Sequence, residues 1–214
     1  MARVSQEHLD ARRRQILDGA ARCFALNGFH ATSMQDVLAE AGLSAGAVYR
    51  YFRSKDELIA AIAEETFSRI RGAFAEATDA SPPPLPDVLV ARVMTIVLEG
   101  RIAGGERQAF ARLIIQVWAE TLRDETLAKT LSQGFEGMRE IWAGLVDAYR
   151  ASGLVPADVS SEDMARTLIA TVQGFIAQQA LFGDVEIDVL REGLRGLMSM
   201  NTAGAAGAPA DPVR

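Results

Sequence analysis

Residues 42–58, GLSAGAVYRYFRSKDEL, hold two of the chain's three tyrosines and, from Tyr49 to Lys55, three cations. Ser44 opens a predicted helix of about two turns that ends near Phe52. On a helical wheel Val48 and Phe52, spaced i, i+4, point to one side. Gly46, Ala47 and Arg50 point to the other, with Tyr49 and Tyr51 on the flanks. Such a helix is anchored by two apolar residues and shows small side chains between hydroxyls and cations. Small outward groups let its axis approach base edges in a groove, while hydroxyls and cations reach the phosphates on either wall. Lys55, in the first turn of the next helix, is positioned for a phosphate. Thr32 and Ser33, at another helix start, are positioned the same way. Tyrosines on a short helix also serve as rim packing, so the groove reading leans on the surrounding pattern.

That pattern is helical throughout, with glycine and proline at helix-sized intervals. Residues 10–27 predict a first helix, with Ile16, Ala20 and Phe24 on one face beside Leu17 and Ala21, and Gly28 just past its end. "TSMQD" opens a second, capped by Thr32 with Gln35 or by Ser33 with Asp36. Met34, Val37, Leu38 and Ala41 give it an inner face, and Gly42 ends it. Ser54 with Glu57 repeats the capping spacing and starts a long fourth helix to about Ala77. The proline-rich stretch 79–87, DASPPPLPD, is a stiff connector. Five more helices follow at 87–102, 106–122, 124–151, 160–182 and 187–200. The tail from residue 201, NTAGAAGAPADPVR, is expected to be disordered.

With 214 residues, 49% of them hydrophobic, the chain can bury a substantial core. Its formal charge of −6 is unevenly spread. Residues 1–55 hold eight Lys/Arg against five Asp/Glu, and the remainder fourteen against twenty-three, so an acidic protein has a basic end suited to a polyanion. A single cysteine, Cys23, forms no internal disulfide and fits a reducing compartment. The polar N-terminus has no signal-peptide apolar core, and no stretch reaches the length of a membrane span. The expectation is a cytoplasmic protein without membrane contact. Enzyme chemistry finds no support: the two histidines, His8 and His30, lack Glu-x-x-His and zinc spacings, and neither G-x-S-x-G nor a phosphate-cradling glycine loop is present. No cofactor or metal is expected.

The segment GFHATSMQDVLAEAGLSAGAVYRYFRSKDELI, residues 28–59, closely resembles the DNA-binding segment of the TetR family of bacterial transcriptional regulators. Gly28, Phe29, Thr32, Val37, Ala41–Gly42, Ser44, Gly46, the Tyr49–x–x–Phe52 pair, Lys55 and Glu57 carry the likeness. The upstream ILDGAARCFALNG resembles the family's first helix, and the match covers about residues 10–65. The resemblance implies an all-α protein of about nine helices. Residues 1–54 would form a three-helix, helix-turn-helix DNA-binding domain; the long fourth helix would join it to a helical effector-binding and dimerisation domain over 55–200. It implies that Thr32, Ser44, Tyr49, Tyr51 and Lys55 hold phosphates while Ala45, Gly46 and Arg50 approach bases. Many relatives carry a longer, often basic side chain in place of Ala45, and Ala is common in place of Leu38. The triplet Arg12–Arg13–Arg14 reads as a solvated run.

A two-turn reading helix sees few base pairs, so specificity calls for two copies on a palindromic operator in double-stranded DNA. The resemblance implies a homodimer through the last two long helices. Leu168, Val172, Phe175, Gln179, Phe182, Leu190, Leu194 and Leu197 are the expected interface, although residues 160–182 read equally as an ordinary core helix. The middle helices carry the stripe Leu127, Leu131, Phe135, Met138, Trp142, Leu145 and Tyr149, core by default. Met94, Phe110, Trp118, Met138 and Trp142 are candidate walls for an effector pocket. Gln116, Gln173 and Gln178 are its candidate polar contacts. The resemblance implies a homodimeric repressor released by a small, often hydrophobic effector; a DNA-binding regulator without an effector is the alternative.

Overall fold

The computed structural model describes residues 6–78, 83–98, 107–183 and 185–200. Among these residues there are nine helices and no strand: α1 (Gln6–Asn27), α2 (Met34–Ala41), α3 (Ala45–Tyr49), α4 (Lys55–Thr78), α5 (Pro86–Leu98), α6 (Arg107–Glu120), α7 (Glu125–Ala151), α8 (Ser161–Phe182) and α9 (Ile187–Ser199). The expected end of the fifth helix and start of the sixth, residues 79–82 of the connector and the tail from 201 lie outside the described residues.

Local chemistry explains the helix ends. At α2 the alternative left open by the sequence resolves to Ser33: its Oγ accepts the Asp36 N–H at 3.2 Å, and the Asp36 carboxylate accepts the Ser33 N–H at 2.7 Å. The Ser33 N–H first, and then the Ser33 hydroxyl, which donates to the same carboxylate at 2.7 Å, hold the Asp36 carboxyl below its ordinary range. Gly42 closes α2 at φ 64°, a left-handed conformation that a side chain would oppose. Ser54 Oγ accepts the Glu57 N–H at 3.2 Å, and Glu57 reaches back to the N–H of Arg53, one residue before the expected cap. Asp124 and Ser160 cap α7 and α8 in the same way.

α1 packs on α2, α4 and α6. Ile16, Ala20 and Phe24 are fully buried in this contact, and α1's Gln15 donates to the carbonyl of Ala41 at the end of α2. α4 runs out of the N-terminal cluster to meet α5 and α7; α6 and α7 both pack on α8, and α9 lies along α5. No helix among the described residues is long and apolar enough to cross a membrane.

Candidate nucleic-acid interface

The α2–turn–α3 segment sits on this cluster through two plugs. Val48 is fully buried and Phe52 nearly so, and α1's Arg13 lies over the Phe52 ring, 5.5 Å from its centroid. With those two inward, helical geometry turns Ser44, Ala45, Gly46 and Arg50 to solvent, with Ala47 and Tyr51 half-buried. Tyr49 is 46% exposed. Space is open around Gly46: a Cβ built there meets no atom within 4 Å. Ser44 starts α3 with extended backbone and no side-chain cap bond. The outward surface is therefore small side chains ringed by hydroxyls and Arg50, the shape and chemistry a groove admits.

Two expected phosphate ligands are engaged inside the fold. Thr32 is 1% exposed; its hydroxyl donates to the Gly28 carbonyl at 2.8 Å and lies 3.2 Å from that of Cys23. A buried hydroxyl must find a partner, and Thr32 finds it in the α1–α2 turn. Lys55 folds back onto the same turn, donating to the carbonyls of Phe29 (2.8 Å) and His30 (3.4 Å) with its ammonium 4.8 Å from the Phe29 ring centroid. Ser33 stays exposed, with its hydroxyl on Asp36. Cys23 is buried, and burial ahead of Glu40 and Asp36 pushes its thiol pKa up, away from thiolate chemistry. In the arginine triplet, Arg12 bonds Gln15 and Arg14 bonds the Asp10 carbonyl.

The second feature is an apolar cavity of about 110 Å³ between α4, α5, α6, α7 and α8. Phe110, Trp118, Met138, Trp142 and Gln173 line it, five of the residues the sequence singled out. Met94 and Gln116 do not. Met94 is fully buried in packing elsewhere, and Gln116 points the opposite way from the α6 wall: its Oε1 accepts the Phe29 N–H at 2.9 Å. Beside it Glu120 lies 2.9 Å from His30. Gln178 is exposed on α8. The sequence reading missed the α4 wall, where Ile59, Ile62, Thr66, Phe67 and Ile70 face the cavity; their i, i+3/i+4 spacing was the available signal. No charged side chain belongs to the lining.

α8 turns inward much of the face expected at a subunit interface. Leu168, Phe175 and Gln179 are buried within the chain, and Val172 lines the cavity. Leu190 and Leu194 are partly buried against the core. Phe182 and Leu197 are about two-thirds exposed, as are Leu181, Val189 and Met200. A helix apolar on several sides does not declare which side its own core takes.

A basic, helix-turn-helix head on an all-helical body is the architecture of a class of bacterial transcriptional regulators, and sequence comparison agrees. Residues 16–62 match the family model of the bacterial regulatory proteins of the tetR family; residues 89–198, more than half of the chain, match that of the BetI-type transcriptional repressor C-terminal domain. The chain belongs to the TetR family and is a transcriptional regulator, not an enzyme. The HTH-type transcriptional regulator UidR of Escherichia coli K12 is 27% identical over 191 residues, 88% of this chain and 90% of that one. The HTH-type transcriptional repressor Rv1474c of Mycobacterium tuberculosis is 47% identical over 70 residues, 33% of this chain and 37% of the relative. Among solved structures, Salmonella enterica GusR superposes with a TM-score of 0.70 at 28% identity, covering 93% of this chain and all of that one.

Proposed function

We propose that the protein is a homodimeric repressor that binds a palindromic operator through α3 and leaves it when a small, hydrophobic effector enters the α4–α8 cavity. The observation that carries the DNA reading is the exposed, small-residue face of α3 at Ala45 and Gly46, flanked by Tyr49 and Arg50 and held by buried Val48 and Phe52. On this reading residues 1–54 are the DNA-binding domain and 55–200 the effector-binding and dimerisation domain. Ser33, Ser44, Ala47 and Tyr51 complete the contact surface, and Lys55 reaches a phosphate only after leaving the Phe29 carbonyl. The exposed apolar side chains of α8 and α9, Leu181, Phe182, Val189, Leu197 and Met200, support pairing of two copies, since large apolar groups left in solvent are a common feature of interfaces.

The geometry also supports a route from cavity to DNA. On α6, Leu113, Val117 and Trp118 face the cavity while Gln116 and Glu120 grip the α1–α2 turn beneath the reading helix. α4 offers a second route, with Lys55 on that same turn and Ile59 and Ile62 in the cavity wall. A ligand that fits the chamber better when α4 or α6 has shifted disfavours the DNA-bound geometry, with a coupling of about 1–3 kcal/mol.

The test is selection of bound sequences from random duplex DNA with the full chain, followed by release of the selected operator in a screen of apolar small molecules. The expected result is an inverted repeat, bound by two copies and released by at least one compound. Failure to enrich any sequence at low salt would overturn the DNA reading. Enrichment of an inverted repeat with no release by any compound filling the cavity would leave a regulator without an effector.

A further inference from the structure

The cavity adjoins a vestibule that is chemically unlike it. Phe135, Ile169 and Gln173 belong to both. The vestibule, about 370 Å³, is otherwise walled by Ser132, Glu136, Arg139 and Arg166 from α7 and α8. Its two arginines converge on a single oxygen: Glu162 Oε1 accepts from Arg139 Nε and from Arg166 Nε, each at 2.9 Å. Arg139 Nη2 lies 3.3 Å from Glu136. A guanidinium carries five N–H donors in a planar fork suited to carboxylates, so these three bonds leave donor capacity at the mouth of the chamber.

From this, resting on the reading of the chamber as an effector site, the geometry points to a monocarboxylate amphiphile as the ligand class. An apolar body fills the chamber and a carboxylate takes the guanidinium pair that Glu162 now bridges. The size of the body follows from volume. An apolar cavity of about 150 Å³ accepts a benzene ring, so a chamber of about 110 Å³ takes one aromatic ring or a short alkyl chain with slight expansion. The head group follows from charge. Arg139 and Arg166 are balanced by Glu136 and Glu162, which accommodates one displaced or added negative charge and disfavours a dianion such as a phosphate monoester. A cationic head meets only acids already bonded to arginines, and nothing anionic lines the chamber. Gln173, at the junction, offers an amide to a carbonyl or ether just behind the head.

The chain supplies its own reporter, because its two tryptophans, Trp118 and Trp142, both line the chamber. Tryptophan emission of the full-length protein is titrated with phenylbutyrate, with the matching phenylbutanol, and with a phenylalkyl trimethylammonium ion. The expected result is saturable change with all apolar bodies that enter, and binding of the acid at least about tenfold tighter than the alcohol, the worth of a charge-assisted bond pair. Arg139→Gln combined with Arg166→Gln should bring the acid down to the alcohol's affinity and leave the alcohol unchanged, which also certifies the variant's fold. Equal or tighter binding of the alcohol or the cation by the unaltered protein would overturn the carboxylate assignment while preserving the chamber as a ligand site. No saturable change with any of the three would remove both.

Discussion

The α2–α3 end and the α4–α8 chamber are built on opposite terms. At the reading end the two ends of α2 are set by bonds that span three or four residues, the Ser33–Asp36 capping box and the Gly42 turn, and the outward face of the short α3 packs against nothing. The chamber is held by side chains brought from five helices, and its walls are oil with two polar groups, Thr66 and Gln173, among twenty-one residues. At the first site the backbone's course is decided locally, and outward side-chain volume is free to serve function. At the second, volume is the structural variable and polarity is nearly absent. A substitution should therefore separate binding from folding at one end and join them at the other.

Gly46→Phe is the strongest attempt to break that contrast. With open space around the position and a helix-disfavouring glycine removed, stability should stay within about 0.5 kcal/mol. A ring on the face meant for base edges should cost several contacts worth about 1–3 kcal/mol each, a loss of operator affinity of about 100-fold or more. Thermal melts beside electrophoretic mobility shifts check both halves. Unaltered operator affinity would show that α3 does not enter the groove. Tyr49→Phe is a cleaner phosphate probe than Lys55→Ala, because Lys55 also holds the α1–α2 turn.

pH should pull the two regions apart from opposite directions. In the body Tyr149 is 1% exposed and donates its hydroxyl to the Pro84 carbonyl. Burial, with the nearby Asp87 carboxylate adding to it, pushes its pKa up to about 12 from about 10. A phenol with a raised folded pKa contributes stability that is whole below about pH 10 and lost as pH rises through about 12, a swing of about 2–3 kcal/mol at most. Tyr149→Phe should flatten that alkaline slope in urea titrations. In the head Asp36 has a lowered pKa, so its contribution is present above the ordinary carboxylate range and fades as pH falls through its folded value. Melts that lose both regions together at each extreme would show one cooperative unit in place of two separable ones.

At the chamber, Gly134→Ala tests whether volume governs. A Cβ there would lie 2.4 Å from the Phe67 ring, which must swing into the empty space beside it. Overpacking of this kind costs about 1–3 kcal/mol, and the swung ring should also weaken any chamber ligand while operator affinity holds. Undiminished ligand binding, measured by tryptophan emission, would mean that Phe67 yields in another direction.

What the sequence disclosed follows the same division. α4, α7, α8 and α9 begin and end within a residue of expectation; the caps that start α4, α7 and α8, and Gly183 after α8, act within four residues, whereas α9 has no side-chain cap. On α3, Val48 and Phe52 placed Gly46 and Arg50 outward correctly, while Ala47 is half-buried and Ala45, exposed, was picked out by the family resemblance and not by the wheel. The partners of Thr32, Lys55 and Gln116 were not. Thr32 turns inward onto the residues that precede it, while Lys55 bonds 26 residues upstream and Gln116 bonds 87 residues upstream, distances at which no periodicity speaks. Which side of α8 faces its own core was not legible for a related reason. Leu168, Phe175 and Gln179 share the inward side, but only the positions of α6 and α7 decide which side that is.

Gln116 is where the two regions meet, and its removal is the smallest and sharpest probe. The Gln116 amide is the side-chain link from the cavity-lining helix to the Phe29 N–H, and it packs so closely on Gly28 that a Cβ there would come within 3.3 Å of its oxygen. Gln116→Ala deletes that acceptor and leaves a partly buried N–H to find water, at a cost of about 1–2 kcal/mol. If α6 transmits occupancy of the chamber, the variant should bind operator and ligand nearly as before, yet release operator less completely when ligand is saturating. Glu120→Gln, which weakens the neighbouring link to His30, should move release in the same direction by less. Full ligand-driven release from the Gln116 variant would assign the transmission to α4, whose Lys55 grips the same turn from the other side and whose Ile59 and Ile62 stand in the chamber wall.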